Sequence, residues 1–359
     1  MSVPRTERRE PTAQVSTESP AKAGPSTEVP FVSVVIPVRN DASRLHRCLA
    51  TIDATTYPAA RLEVLVADNG STDTSPDVAR AHAAVVLDFP GIRVSEVRNR
   101  AAKVARGDVL VFVDADHELD SNWIPHAIQT LVTSGAAAVG AGYYAPEDGT
   151  WVQKMYDSFR LRTPGIRRVD WLGSGSLAVW RTTFHDVGGF DSRLETCEDV
   201  DFCQRLRMKE YVLYSDDRLR SVHLGDPRTL RALFFGELWR GRDNLRVSLR
   251  GPVTLRALPS IFIPVTLLLM LVTLPVALMV EPAGLVLAAA GGGILLLTLV
   301  RVIRMLMHMR RCSPVLIARA WVVAIVYEVA RALALVARTP HGVRQTASLS
   351  GRLAHRRPS

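Results

Sequence analysis

The sequence predicts an α/β chain, with a parallel, Rossmann-like sheet in its first two thirds and a helical region after it. Three observations carry that expectation. Runs of β-formers end in carboxylates, segments of helical periodicity separate those runs, and long uncharged stretches fill the last third of the 359 residues.

The first run is Val32-Ser33-Val34-Val35-Ile36-Pro37-Val38, closed by Arg39-Asn40-Asp41. A helical pattern follows through Leu45, Cys48, Leu49 and Ile52. The second run, Leu62 to Ala67, ends in Asp68-Asn69-Gly70-Ser71-Thr72-Asp73, which reads as a strand end, a tight glycine turn and a helix cap. Alternation at this spacing puts Asp68 at a strand C-terminus, the edge where open α/β sheets bind ligands. No G-x-G-x-x-G follows the first strand, so the sequence lacks the glycine-rich turn that binds dinucleotides and gives no support to a nucleotide-binding oxidoreductase.

Val109-Leu110-Val111-Phe112-Val113 is a third apolar run, and it delivers Asp114-Ala115-Asp116 to the same rim. Asp-x-Asp by itself is common in loops; here it joins other motifs in a fixed order. Those motifs are Arg98-Asn99 with Ala105-Arg106-Gly107-Asp108, Gly188-Gly189-Phe190-Asp191, and Glu198-Asp199-Val200-Asp201 with Arg205. On these residues, Phe31 to about Gly225 resembles a family 2 glycosyltransferase of the GT-A fold.

The resemblance implies a nucleotide-sugar donor, UDP- or GDP-linked, and a divalent cation, Mn2+ or Mg2+. It implies Asp68 on the base of the donor, Asp116 on the cation with Asp114 beside it, and Asp199 as general base next to Glu198. Pro37, Arg39, Asn40, Arg98 and Asn99 fall in its donor-binding motifs, although Ala101 stands near the place where a glycine is expected after Arg98-Asn99. His223 lies where similar enzymes place a histidine that completes the metal shell; a hydrogen-bonded histidine is the alternative. His117 is expected to be exposed or to support a ligand from behind.

The chemistry asks for these residue types. A diphosphate leaving group builds negative charge that a hard dication meets through oxygen ligands. The acceptor hydroxyl must lose a proton to a carboxylate on the opposite face of the sugar. Glu198 and Asp199 open a helical segment, where first-turn acids also serve as dipole-stabilising caps, and Asp201 and Arg205 can pair at i and i+4. Trp171-Leu172-Gly173-Ser174-Gly175-Ser176 gives a loop able to approach a sugar, with Gly173 and Ser174 as donor contacts, or an ordinary turn before the strand Leu177-Ala178-Val179-Trp180.

Residues 1–30 are rich in Pro, Ser, Thr and charge and predict a disordered tail rather than a signal peptide, leaving 31–227 as the catalytic domain. Composition changes near residue 228. From there to the end the sequence has eighteen arginines, no lysine and four acids, so the net charge of +9 belongs to the C-terminal part. Residues 228–256 predict a basic amphipathic segment beside a membrane, through Leu230, Leu233, Phe234 and Leu238. Residues 257–337 are expected to hold a transmembrane hairpin, 258–280 and 283–300, the first spanning about 34 Å as a helix. A third membrane-associated helix is expected at 314–336, and 338–359 form a basic tail. Arginine flanks on both sides of the hairpin predict a multi-pass protein of the inner or plasma membrane with a cytoplasmic catalytic domain and contacts to membrane lipid rather than nucleic acid.

Cys48, Cys197, Cys203 and Cys312 show no metal spacing and predict free thiols. The nearest text to the Q-x-x-R-W motif of processive relatives is Glu237-Leu238-Trp239-Arg240, which does not match, so transfer of a single sugar to a lipid-linked or glycan acceptor is expected, in envelope or exopolysaccharide synthesis. A catalytically idle scaffold with the same fold is the alternative.

Overall fold

The computed structural model describes residues 29–160, 162, 164–250, 258–277, 283–309 and 313–337. The elements run β1 (Val32–Val38), α1 (Ala42–Asp53), β2 (Leu62–Asp68), α2 (Ser75–Ala81), β3 (Val85–Asp88), α3 (Val94–Val104), β4 (Val109–Val113), β5 (His117–Leu119), α4 (Trp123–Ser134) and β6 (Ala138–Gly140). They continue with α5 (Trp151–Asp157), β7 (Ile166–Val169), β8 (Ser176–Trp180), α6 (Arg181–Asp186), α7 (Glu198–Met208), β9 (Leu213–Asp216) and β10 (Ser221–His223). Five helices follow: α8 (Leu230–Arg240), α9 (Asn244–Ser248), α10 (Leu258–Ala277), α11 (Ala283–Met309) and α12 (Pro314–Leu333).

Eight strands form one sheet in the order β3-β2-β1-β4-β8-β6-β9-β7. The first four are parallel, as the alternation of strands and helices predicts, but β8 runs antiparallel to both β4 and β6 and β7 runs antiparallel to β9, giving the Rossmann-like mixed sheet that the resemblance to the GT-A fold implies. The apolar runs are continuous because both faces are covered. Val32, Val34, Ile36, Val109, Val111 and Val113 pack with α1 and α4, while Val35, Leu110 and Phe112 pack with α3, α6 and α7. Successive side chains of one strand thus enter opposite halves of the core. A second sheet of two strands pairs β10 with β5, setting His223 opposite His117.

The C-terminal helices correct the membrane expectation. Among the described residues no helix is long and apolar enough to cross a membrane, so the multi-pass arrangement with spans at 258–280 and 283–300 is overturned. The uncharged run and the helix do not coincide, because α11 continues through Arg301 and Arg304 to Met309. Arg301 donates to Glu328 of α12 at 2.6 Å and its guanidinium lies 4.1 Å from the centre of the Tyr327 ring. Helix α12 packs on α5, α8, α10 and α11, not apart from them. In α8 the buried side chains are Leu233, Glu237 and Leu238, and Glu237 accepts from Tyr156 Oη at 2.7 Å and from Arg240 at 3.0 Å. A buried acid on that face takes α8 away from a simple amphipathic pattern and docks it on the catalytic domain. The tails 1–28 and 338–359, the linker 278–282, Arg256 and Cys312 lie outside the described residues.

Candidate active site

Strands β2 and β4 end on one rim because both are parallel to β1, and they bring Asp68 and Asp114-Ala115-Asp116 there. Asp68 is 4% exposed; its Oδ2 accepts the Ser71 N–H at 2.9 Å, whereas its Oδ1 is buried with no partner among the described residues. Asn40 adopts φ 53° and spends its side chain on the neighbouring turn, accepting the Thr72 N–H at 2.7 Å. Arg39 is exposed at the end of β1, and Pro37 is buried within it.

Asp116, His117 and His223 each offer one ligand atom, all within 4.8 Å of one another. The pairing of β5 with β10 builds this cluster. His223 Nε2 lies 3.3 Å from Asp116 Oδ2, and its Nδ1 lies 2.6 Å from Asp226 Oδ1. His117 is 1% exposed, and its Nδ1 has no partner among the described residues. One carboxylate and two imidazoles, one with an orphaned buried nitrogen, fit a divalent cation. Glycine leaves these side chains room: a Cβ at Gly225 would press on Asp116 Oδ2, and one at Gly175 would lie 2.9 Å from His117 Nε2.

Burial works against a charged ring at His223, but Asp116 and Asp226 outweigh it and raise its pKa to about 9. Burial and the neighbouring His223 lower His117 to about 4. Asp116 is held below the ordinary carboxylate range despite burial, chiefly by His223.

Asp114 stands outside that cluster. Its Oδ1 accepts from Arg98 at 2.5 Å, while the other end of the same guanidinium donates to Glu198 at 2.8 Å. Arg98 is 3% exposed within α3. Asn99 bonds the backbone of Phe190 twice, through its Nδ2 at 2.8 Å and its Oδ1 at 2.9 Å, so its amide is committed to the protein.

Asp199, in the first turn of α7, is half-buried; burial and the adjacent Glu198 push its pKa up to about 7, against the pull of the Val200 and Ser174 N–H groups and Arg98. A Cβ at Gly173 would lie 3.9 Å from Asp199 Oδ2. The segment from Gly173 to Gly175 therefore runs from the Asp199 carboxylate to Asp114 and His117. Trp171, before it, is 49% exposed.

Residues 33–190 match the family described as Glycosyl transferase family 2. That stretch is similar to family 2 glycosyltransferases. The chain is an enzyme of the transferase class. Glycosyltransferase AglE of Haloferax volcanii is 28% identical over 246 residues, covering 64% of this chain and 78% of that protein. Validoxylamine A glucosyltransferase of Streptomyces hygroscopicus subsp. jinggangensis is 28% identical over 230 residues, and the chain spans about half of it, 53%. Among solved structures, mannosyltransferase PcManGT from Pyrobaculum calidifontis, in complex with GDP-Man and Mn2+, aligns with a TM-score of 0.60. That alignment covers 86% of this chain and 87% of the other at 19% identity, which shows the GT-A fold of the domain.

Sequence reasoning did not single out Asp226, Arg160 or Arg44, although all three stand around the cluster. Arg44 Nη1 lies 3.6 Å from Asp116. The spacing His223-x-x-Asp226 was visible, but nothing in it told a surface turn from a buried pair.

Proposed function

We propose that the domain transfers one sugar from a nucleotide-sugar donor to an acceptor hydroxyl, with inversion and with the help of a divalent cation. The observation that carries this reading is the placement of Asp199, a carboxylate raised to about 7, at one end of the Gly173–Gly175 segment with the Asp116, His117 and His223 cluster at the other. A base poised near neutrality faces, across a narrow backbone strip, the groups suited to a diphosphate's counter-ion.

In this reading the unpartnered Asp68 Oδ1 accepts from the donor base. Asp116, His117 and His223 would hold the cation, which supplies charge to meet the leaving diphosphate. Asp199 takes the acceptor's hydroxyl proton as its oxygen bonds to the anomeric carbon, and the bond to the diphosphate breaks with its electron pair. Arg98 keeps Glu198 and Asp114 in register on either side of that path. Two imidazoles in the donor set favour Mn2+ over Mg2+, which takes oxygen ligands. The Mn2+ and GDP-Man named with the Pyrobaculum enzyme support a nucleotide-sugar donor of the same kind.

For the acceptor we favour a lipid-linked glycan, in envelope or exported-polysaccharide assembly. Phe262 of α10 and Leu296 and Met307 of α11 are 60%, 68% and 73% exposed and offer an apolar surface to its tail. The test is release of diphosphate from a panel of UDP- and GDP-sugars with Mn2+ or Mg2+. Release from one donor, dependent on Mn2+, is expected. No release from any donor, or full release in EDTA, overturns the reading.

A further inference from the structure

His223 is held from behind by a chain of buried charge that nothing in the reaction requires directly. Asp226 is 2% exposed, and its Oδ1 meets His223 Nδ1 at 2.6 Å. Both of its oxygens also accept from Arg160, Oδ2 from Nη1 at 2.7 Å and Oδ1 from Nη2. Arg160 is fixed in turn: it donates to Asp157 at 3.1 Å and lies 4.2 Å from the centre of the Tyr143 ring. Tyr143 packs edge-on against both His117 and His223, at 4.8 Å and 4.9 Å between ring centres. The Asp226 carbonyl accepts from Gln153 at 3.1 Å, and Gln153 closes a capping box with Thr150 at the start of α5.

A guanidinium only donates, so Asp226 and Arg160 already form a satisfied pair. The third contact, to His223, is then available to fix the ring. An acceptor at Nδ1 keeps the proton there and turns the Nε2 lone pair toward Asp116. We propose that Asp226, held by Arg160, is a positioning residue that sets the tautomer of His223 and so presents Nε2 to the cation bound at Asp116. The inference rests on His223 being a ligand in the reading above.

Asp226→Asn separates the roles. Both carboxylate oxygens accept from Arg160, so in either orientation the amide NH2 meets an Arg160 N–H and the pair that fixes the acceptor at Nδ1 is broken. Without a charged, fixed acceptor the ring loses its preference for a proton on Nδ1. Mn2+ binding to the full chain, read by electron paramagnetic resonance of free Mn2+, is expected to weaken by about tenfold or more. Long-range 1H–15N spectra of the metal-free protein, at a pH above the ring's titration, are expected to show Nδ1–H in the parent and a gain of Nε2–H in the variant. The isosteric change keeps volume, and a circular-dichroism melt checks the fold. Unchanged Mn2+ affinity in Asp226→Asn, with affinity lost in His223→Ala, overturns the positioning role and leaves the ligand reading standing. Unchanged affinity in both variants overturns the ligand reading and the inference with it.

Discussion

Arg98 joins Asp114 to Glu198: one buried guanidinium donates to the first carboxylate at 2.5 Å and to the second at 2.8 Å. The Asp-x-Asp strand end and the first turn of α7 are thereby tied together from α3. Arg98→Met is expected to cost about 3 kcal/mol of stability, since removing one partner strands the other charges in a poorly solvated place. Urea unfolding measures this. A change within about 0.5 kcal/mol, the range of ordinary surface substitutions, would show that Arg98 is not the tie.

Asp199→Asn preserves shape while removing the proton acceptor. Turnover is expected to fall by about 10² or more with donor affinity near the parent value. Steady-state kinetics beside donor titration separates the two. If Glu198→Gln is the inactive variant and Asp199→Asn is active, the base has been assigned to the wrong carboxylate.

The raised pKa of Asp199, about 7, sets a pH dependence whose sign follows from the proton. A base must be deprotonated, so kcat/KM is expected to rise with pH through about 7 and level off above it. For stability the direction is opposite. The folded state holds this proton more tightly than the unfolded chain, so the group's contribution is fully present below its ordinary value of 3.8 and is lost as pH rises through about 7. Asp199→Asn should remove that loss from a series of melts taken between those two pH values. A parent and variant with parallel pH–stability curves would contradict the raised pKa.

Gly225→Ala places a methyl group against Asp116 Oδ2 and His223 Nε2. Because the clash falls on the ligand atoms and not on the core, Mn2+ affinity is expected to drop by about tenfold while the melt changes little. Parent-like Mn2+ binding would mean that Asp116 lies elsewhere when the cation is bound.

Asp116→Ala is expected to abolish Mn2+-dependent donor turnover with the fold retained, since a carboxylate on the sheet rim contributes little to the core. Normal turnover in this variant would remove Asp116 from the site.

Much of this was legible along the chain. Runs such as Val109–Val113 are apolar at every position because both sheet faces are covered, and a run that stops at Asp114 marks a strand end without reference to anything distant. The i and i+4 pair of Asp201 and Arg205 is likewise local, and it forms at 2.8 Å. The C-terminal helices were misread for a related reason: hydropathy counts uncharged residues but does not see that α11 runs on through Arg301 to pair with Glu328 of another helix.

The sequence by itself therefore determined the sheet, its acidic rim and the family motifs, because each depends on spacing within one strand or helix. Tertiary structure alone decided which side chains meet at the rim. His117 faces His223 because β5 pairs with β10 across a long separation in sequence, and Asp226 meets Arg160 and the Gln153 amide of α5 across a gap of more than sixty residues. Strand pairing and burial of charge are set by what packs from elsewhere in the chain, and no local periodicity encodes them.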